Sequence, residues 1–231
     1  MKTSILKALF ISALLFTTVV LHAQNRDWAN INRYKTNNKE LVEAKKQIET
    51  VFIGNSITEG WVTLDPVFFT NNNYEGRGIS GQISAQMLLR MREDVIKLKP
   101  RVVVINAGTN DIAENANVYD PEITLGNIIS MVQLAQANDI RVVLGSVLPT
   151  NHFRWNPDIT DVAGKVTDLN SRIKNYADAN HIPYIDYHTA LKDKDNGLDV
   201  KYGEDGVHPN IEGYHIMEPL AKEAINKALK Q

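Results

Sequence analysis

The sequence predicts one three-layer α/β/α domain with a mostly parallel central sheet. Three observations carry that expectation. Short runs such as Val51 to Ile53 and Val102 to Ile105 are continuously apolar, as in strands buried on both faces, and do not alternate. Segments with helical periodicity lie between those runs and would supply the crossovers of a parallel sheet. The residues able to carry chemistry fall just after the runs, where the carboxyl ends of parallel strands form a crevice.

Taken in order, the chain opens with Lys2 and Lys7, then an apolar and hydroxyl run of 14 residues from Ala8 to Leu21, then the small residue Ala23. Residues 1–23 therefore read as a signal peptide. The run is shorter than the roughly 20 apolar residues that cross a bilayer, so no permanent membrane anchor is expected. The expectation is export, to the periplasm or the cell exterior, and the complete lack of cysteine is compatible with an oxidising compartment. Losing the two leader lysines leaves 23 basic against 27 acidic residues, a net charge of about −4, which argues against nucleic acid as a partner.

Residues 24–47 read as an N-terminal helical extension, because Trp28, Ile31 and Tyr34 recur at helical spacing and Leu41 to Lys46 resumes it. Residues 48–231 read as the main α/β domain. Strand-like runs are expected at Val51–Ile53, Val102–Ile105, Val142–Val147 and Ile182–Tyr187, with a short extra strand near Tyr74. Helices are expected over Ile83–Leu98, Ile123–Ala137, Val162–Ala179 and Ile211–Leu229. No repeat or Pro/Gly-rich linker marks a second domain, and no feature specifies an oligomeric state.

Four blocks combine strand ends with reactive residue types. Gly54-Asn55-Ser56 places a serine at a strand-to-helix turn, where free N–H groups and the helix dipole favour developing negative charge; the same residue types also cap helices. Gly78-Ile79-Ser80-Gly81 can turn tightly and leave a backbone N–H open, or be a plain loop. Gly108-Thr109-Asn110-Asp111 follows the most apolar strand, where Asn110 could donate to an oxyanion or merely form a turn. Asp205-Gly206-Val207-His208 sets a carboxylate three residues before an imidazole, so that one loop can supply a general base and the group that orients it.

The four blocks in this order resemble the SGNH (GDSL-like) hydrolases, whose sheets are flavodoxin-like. By that resemblance Ser56 is the nucleophile, Asp205 and His208 complete the catalytic set, and the Ser56 N–H, Gly81 and Asn110 form the oxyanion hole. Asn55 departs from the family's GDS motif, which has Asp there, and altered local hydrogen bonding without loss of activity is the expectation. The resemblance implies an acyl-enzyme mechanism with neither metal nor organic cofactor. His152 and Trp155, after the Val142–Val147 run, could shape the substrate pocket or form surface, while Trp61 reads as packing. His181, His188 and His215 show no metal-ligand spacing.

The expected substrate is a small-molecule or glycan ester with a short acyl group, acetyl first. The glycan comes from the resemblance. The short acyl group follows from an aromatic content of 7 %, with no long apolar flap to line a deep channel. Two alternatives stand beside it: a lysophospholipase or thioesterase that uses the same machinery on lipid acyl groups with a deeper acyl pocket, and a glycan-binding module that kept the fold without catalysis.

Overall fold

The computed structural model describes residues 27–231, so the proposed signal peptide and the first residues of the extension lie outside it. Five strands form one all-parallel sheet: β1 (Thr50–Gly54), β2 (Tyr74–Gly78), β3 (Val102–Ile105), β4 (Arg141–Gly145) and β5 (Tyr184–Ile185), in spatial order β2-β1-β3-β4-β5. Every strand residue of β1 and β3 is buried, which is why their sequences are apolar without interruption.

Helices cover both faces. In chain order they are α1 (Lys35–Glu43), α2 (Ser56–Leu64), α3 (Pro66–Asn71), α4 (Ser84–Asp94), α5 (Thr109–Ile112), α6 (Pro121–Gln136), α7 (Val162–Ala179), α8 (Tyr187–Leu191) and α9 (Ile211–Leu229). Side chains alternate along each strand, so Val51, Ile53, Val103 and Ile105 join an aliphatic core with Met87, Met91, Met131 and Leu169 from α4, α6 and α7. Phe52, Val104 and Val143 point the other way, into a core with Trp61, Phe68, Phe69, Tyr214 and Ile225. Trp61 is packing, as expected: it stacks on Phe68 and Tyr214 and is 2 % exposed.

The strand near Tyr74 is a full five-residue edge strand in register with β1. Its last residue, Gly78, has no room for a side chain, because an added Cβ would lie 2.2 Å from the Glu59 nitrogen and 2.6 Å from the Asn55 oxygen. That close approach sets the end of β2 against the first turn of α2.

Two expected strands are shorter than their apolar runs. β4 stops at Gly145. In the last run Asp186 accepts from the Thr189 N–H and caps α8, so Tyr187 enters a helix and not the sheet. The N-terminal extension is helical only over Lys35–Glu43: Trp28, Ile31 and Tyr34 lie in turns and not in the expected helix, because Asn30 adopts a φ of 52° and the Asp27 carboxylate takes the Ile31 and Asn32 N–H groups, and α1 ends two residues before Lys45, at a φ of 51°. Among the described residues no helix is long and apolar enough to cross a membrane.

Candidate active site

Ser56 opens α2 directly after β1. Asn55 caps that helix, its Oδ1 accepting from the Ile57 N–H at 3.0 Å, while its Nδ2 is buried without a hydrogen-bond partner. The Ser56 N–H belongs to the first turn, where no carbonyl lies one turn back to receive it. Here the departure from the GDS pattern is visible: the cap is made by the amide oxygen, and the amide nitrogen stands where a carboxylate would place its second oxygen.

His208 reaches Ser56 from the loop before α9. Its Nε2 lies 2.8 Å from Ser56 Oγ and its Nδ1 lies 2.6 Å from Asp205 Oδ2. A carboxylate only accepts, so Nδ1 carries the proton and Nε2 is left to accept from the serine hydroxyl. Asp205 Oδ1 also accepts from the backbone N–H groups of Val207 and His208, both at 2.8 Å. Partial burial raises the Asp205 pKa, but the His208 and Val207 hydrogen bonds and the nearby imidazole outweigh that and hold it below the usual carboxylate value. The pair is open to solvent, with the His208 side chain 37 % and the Asp205 side chain 40 % exposed.

The remaining two blocks are tied to this series through Asn115, which bonds Gly81, Asn110 and Trp155, the last with its ring beside that of His208. Gly81 has a φ of 78°, which glycine adopts without strain, and its nitrogen donates to no protein acceptor among the described residues. Asn110 is buried, and its Nδ2 donates one hydrogen to the Gln82 carbonyl at 2.9 Å, leaving the second. Asp111 does not face the crevice. It accepts from the Ser84 N–H at 3.0 Å and from the Ser84 hydroxyl, anchoring the start of α4 to the Asn110 turn. Burial raises its pKa, against the pull of the Ser84 hydrogen bonds.

Trp155 is 47 % exposed and its ring lies 6.4 Å from that of His208. His152 is exposed, bonds Asn151 Oδ1 at 2.7 Å, and packs against Gly206 of the base loop. Both are therefore near the crevice, with Trp155 beside the imidazole and His152 behind its loop.

Three residues absent from the sequence reading hold the parts together. Glu59 of α2 accepts from the Ser80 N–H at 2.8 Å and from the Ser80 hydroxyl, and it pairs with Arg33 of the extension. Arg90, fully buried, reaches Gln82 Oε1 at 2.7 Å and the Arg77 carbonyl at 3.1 Å, and it pairs with Asp94. Its signal was available: a guanidinium between Met87 and Met91 interrupts an apolar helix stripe. Asn115, the third, carried no sequence signal. The extension itself grips the Gly-rich loop, since Tyr34 donates to the Gly78 carbonyl and Gln82 Nε2 donates to the Ala29 carbonyl.

Of the histidines set aside by spacing, His215 lies with Asp65 and Glu218, their ligand atoms all within 4.8 Å of one another. This trio begins at the far end of α2, roughly 13 Å along the helix from Ser56, and takes no part in the crevice. His188 is buried, and burial lowers its pKa.

A serine, an imidazole and a carboxylate thus stand in hydrogen-bonded series at the carboxyl ends of a parallel sheet. Residues 52–216 match the GDSL-like lipase/acylhydrolase family, and the chain belongs to it. It is an ester-cleaving hydrolase, as its relatives are. A GDSL-like lipase of Bacteroides thetaiotaomicron is 53 % identical with a TM-score of 0.82, over 87 % of this chain and 98 % of that one. A multidomain esterase of Ruminococcus flavefaciens is 25 % identical over 70 % of this chain, which spans only 20 % of that relative's length. An acetylxylan esterase of Geobacillus stearothermophilus shares the fold, with a TM-score of 0.61 at 19 % identity over 77 % of this chain and 94 % of that one.

Proposed function

We propose that this protein is an exported serine esterase that removes short acyl groups, acetyl first, from carbohydrates through a Ser-His-Asp acyl-enzyme mechanism. The observation that carries the reading is the unbroken series from Ser56 Oγ to His208 Nε2 and from His208 Nδ1 to Asp205 Oδ2, at 2.8 and 2.6 Å.

In the first half-reaction Ser56 Oγ attacks the acyl carbonyl carbon and its proton passes to His208 Nε2. Asp205 stabilises the imidazolium so formed. The carbonyl oxygen becomes an oxyanion that accepts from the Ser56 N–H, the Gly81 N–H and the second Asn110 Nδ2 hydrogen. The carbon–oxygen bond to the alcohol breaks, and the alcohol leaves with the proton held by His208. In the second half-reaction water gives a proton to His208 and attacks the acyl-serine carbon; the bond to Ser56 Oγ then breaks, His208 returns the proton to Oγ, and the acid is released.

Two features support a short acyl group and a bulky polar alcohol. Phe52, Trp61, Phe68, Phe69, Tyr74, Tyr187 and Tyr214 are all buried in the sheet core, so few aromatics remain to line an acyl channel. Around Ser56 and His208 the crevice is bordered by Asn110, Asn115 and Gly81, with Trp155 as an exposed face on which a sugar ring can pack. An acetylated glycan, the substrate class in the name of the structurally similar acetylxylan esterase, is the natural first candidate. Export rests on the basic, apolar and small-residue pattern of residues 1–23.

The test is hydrolysis of p-nitrophenyl acetate, butyrate and octanoate, followed by acetylated xylan, by the mature chain and by Ser56→Ala. Fastest turnover of acetate, abolished by Ser56→Ala, is expected. Preference for octanoate would move the protein to lipid acyl groups, and ester cleavage that survives Ser56→Ala would end the serine mechanism.

A further inference from the structure

Asn115 lies in the turn after α5, outside all four motif blocks, yet its side-chain amide joins the three parts of the crevice that must act on substrate together. Its Nδ2 donates to the Gly81 carbonyl at 3.2 Å and to Asn110 Oδ1 at 3.0 Å, and its Oδ1 accepts from Trp155 Nε1 at 2.9 Å.

Each contact restricts something the mechanism needs. An asparagine amide can present either its oxygen or its nitrogen, and the orientation is chosen by its partners. By donating to Asn110 Oδ1, Asn115 selects the orientation in which Asn110 Nδ2 faces Gln82 and the crevice. Gly81 is the most freely rotating residue of its loop, and a Cβ placed on it would touch nothing within 4 Å. Its N–H is held in line through its neighbours: the Gln82 N–H donates to the Ile79 carbonyl across the turn, Glu59 fixes the Ser80 N–H and Asn115 fixes the Gly81 carbonyl. The Asn115 oxygen, meanwhile, is held by an indole whose outer face is open to an incoming alcohol group.

We propose that Asn115 is a positioning residue that couples Trp155 to the oxyanion site, so that an alcohol group packed on Trp155 steadies the Gly81 and Asn110 donors. The inference rests on the serine-esterase reading above. Because a donor displaced by about 1 Å can cost roughly 10²-fold in rate, Asn115→Ala is expected to lower kcat by about 10- to 100-fold, with KM changed less than about threefold. The shape of the pH–rate profile should be unchanged. Trp155→Phe keeps the ring and removes only the Nε1 donor, and should lower kcat by a smaller factor, about threefold to tenfold.

The decisive measurement is a double-mutant cycle on kcat with an acetylated sugar and with p-nitrophenyl acetate, alongside thermal melts of all four proteins. The coupling predicts that Trp155→Phe loses its effect once Asn115 is alanine, and that the loss is greater for the sugar ester. Effects that multiply independently, or that appear only as a lower Tm, would overturn it. Should Asn115→Ala fail to fold, Trp155→Phe alone decides: unchanged kcat on the sugar ester would refute the coupling. Labelling of Ser56 by an organophosphonate, followed by mass, separates the two levels of the argument. An unlabelled and inactive wild type removes the esterase reading and this inference with it; a labelled wild type whose kcat ignores Asn115→Ala removes the inference alone.

Discussion

Ser56 and His208 meet at 2.8 Å, but they are held in opposite ways. Ser56 stands between a fully buried strand and a helix whose Ile57 and Trp61 are buried, with Asn55 capping the turn and Gly78 of the neighbouring strand pressed against it. His208 lies on a partly exposed loop and is oriented by a carboxylate three residues earlier. The place of Ser56, the proposed nucleophile, is thus a consequence of the core, and that of His208, the proposed base, is a consequence of a local turn. Substitutions should separate the two: removing the imidazole should cost rate and spare the fold, and changes at the serine turn should cost the fold.

The largest expected effect is His208→Ala, with kcat/KM falling by roughly 10⁴-fold or more and Tm nearly unchanged; a large drop in Tm would break the comparison. Asp205→Asn should follow at about 10⁴-fold. The same substitution tests the sign of a pH effect. The Asp205 pKa is lower folded than unfolded, so its contribution to stability is present above the unfolded value and lost as pH falls through the folded one. Melts should therefore show wild type and Asp205→Asn converging at acid pH and diverging at neutral pH, and the reverse trend would refute the assignment. Gly78→Ala should instead be felt in stability, by about 3 kcal/mol, because the new Cβ meets backbone at 2.2 Å. A soluble, fully stable Gly78→Ala protein would show that β2 does not brace the serine turn. Smallest is Asn55→Ala, which removes the cap at a cost of about 1 kcal/mol, or about 2–4 °C in Tm for a domain of this size.

The same contrast explains what could be read in advance. The base loop was legible because Asp205 and His208 are neighbours in sequence and their geometry is made within four residues. The serine turn was legible as a buried run ending in Gly54-Asn55-Ser56, but alone it could not be told from a helix cap, since both need the same residue types. Gly81 and Asn110 became readable only as members of an ordered set. Arg90 left a trace, as a charge on an apolar helix stripe, whereas Glu59 and Asn115 left none, being polar residues on a helix surface and in a turn. The apolar run at Ile182–Tyr187 was read too long because a local cap, Asp186 on Thr189, ends the strand inside it.

What the sequence by itself determined is what depends on periodicity and short spacing: a parallel α/β sheet, its main helices, and the serine, asparagine and histidine loops at the strand ends. Tertiary structure alone decided which of those loops are braced and by what. It placed Glu59 on Ser80, Arg90 on Gln82, the extension on the Gly-rich loop and Asn115 between Trp155 and the proposed oxyanion donors. These contacts join residues far apart in the chain whose types are common on any surface, so their meaning arises only when packing brings them within hydrogen-bond reach.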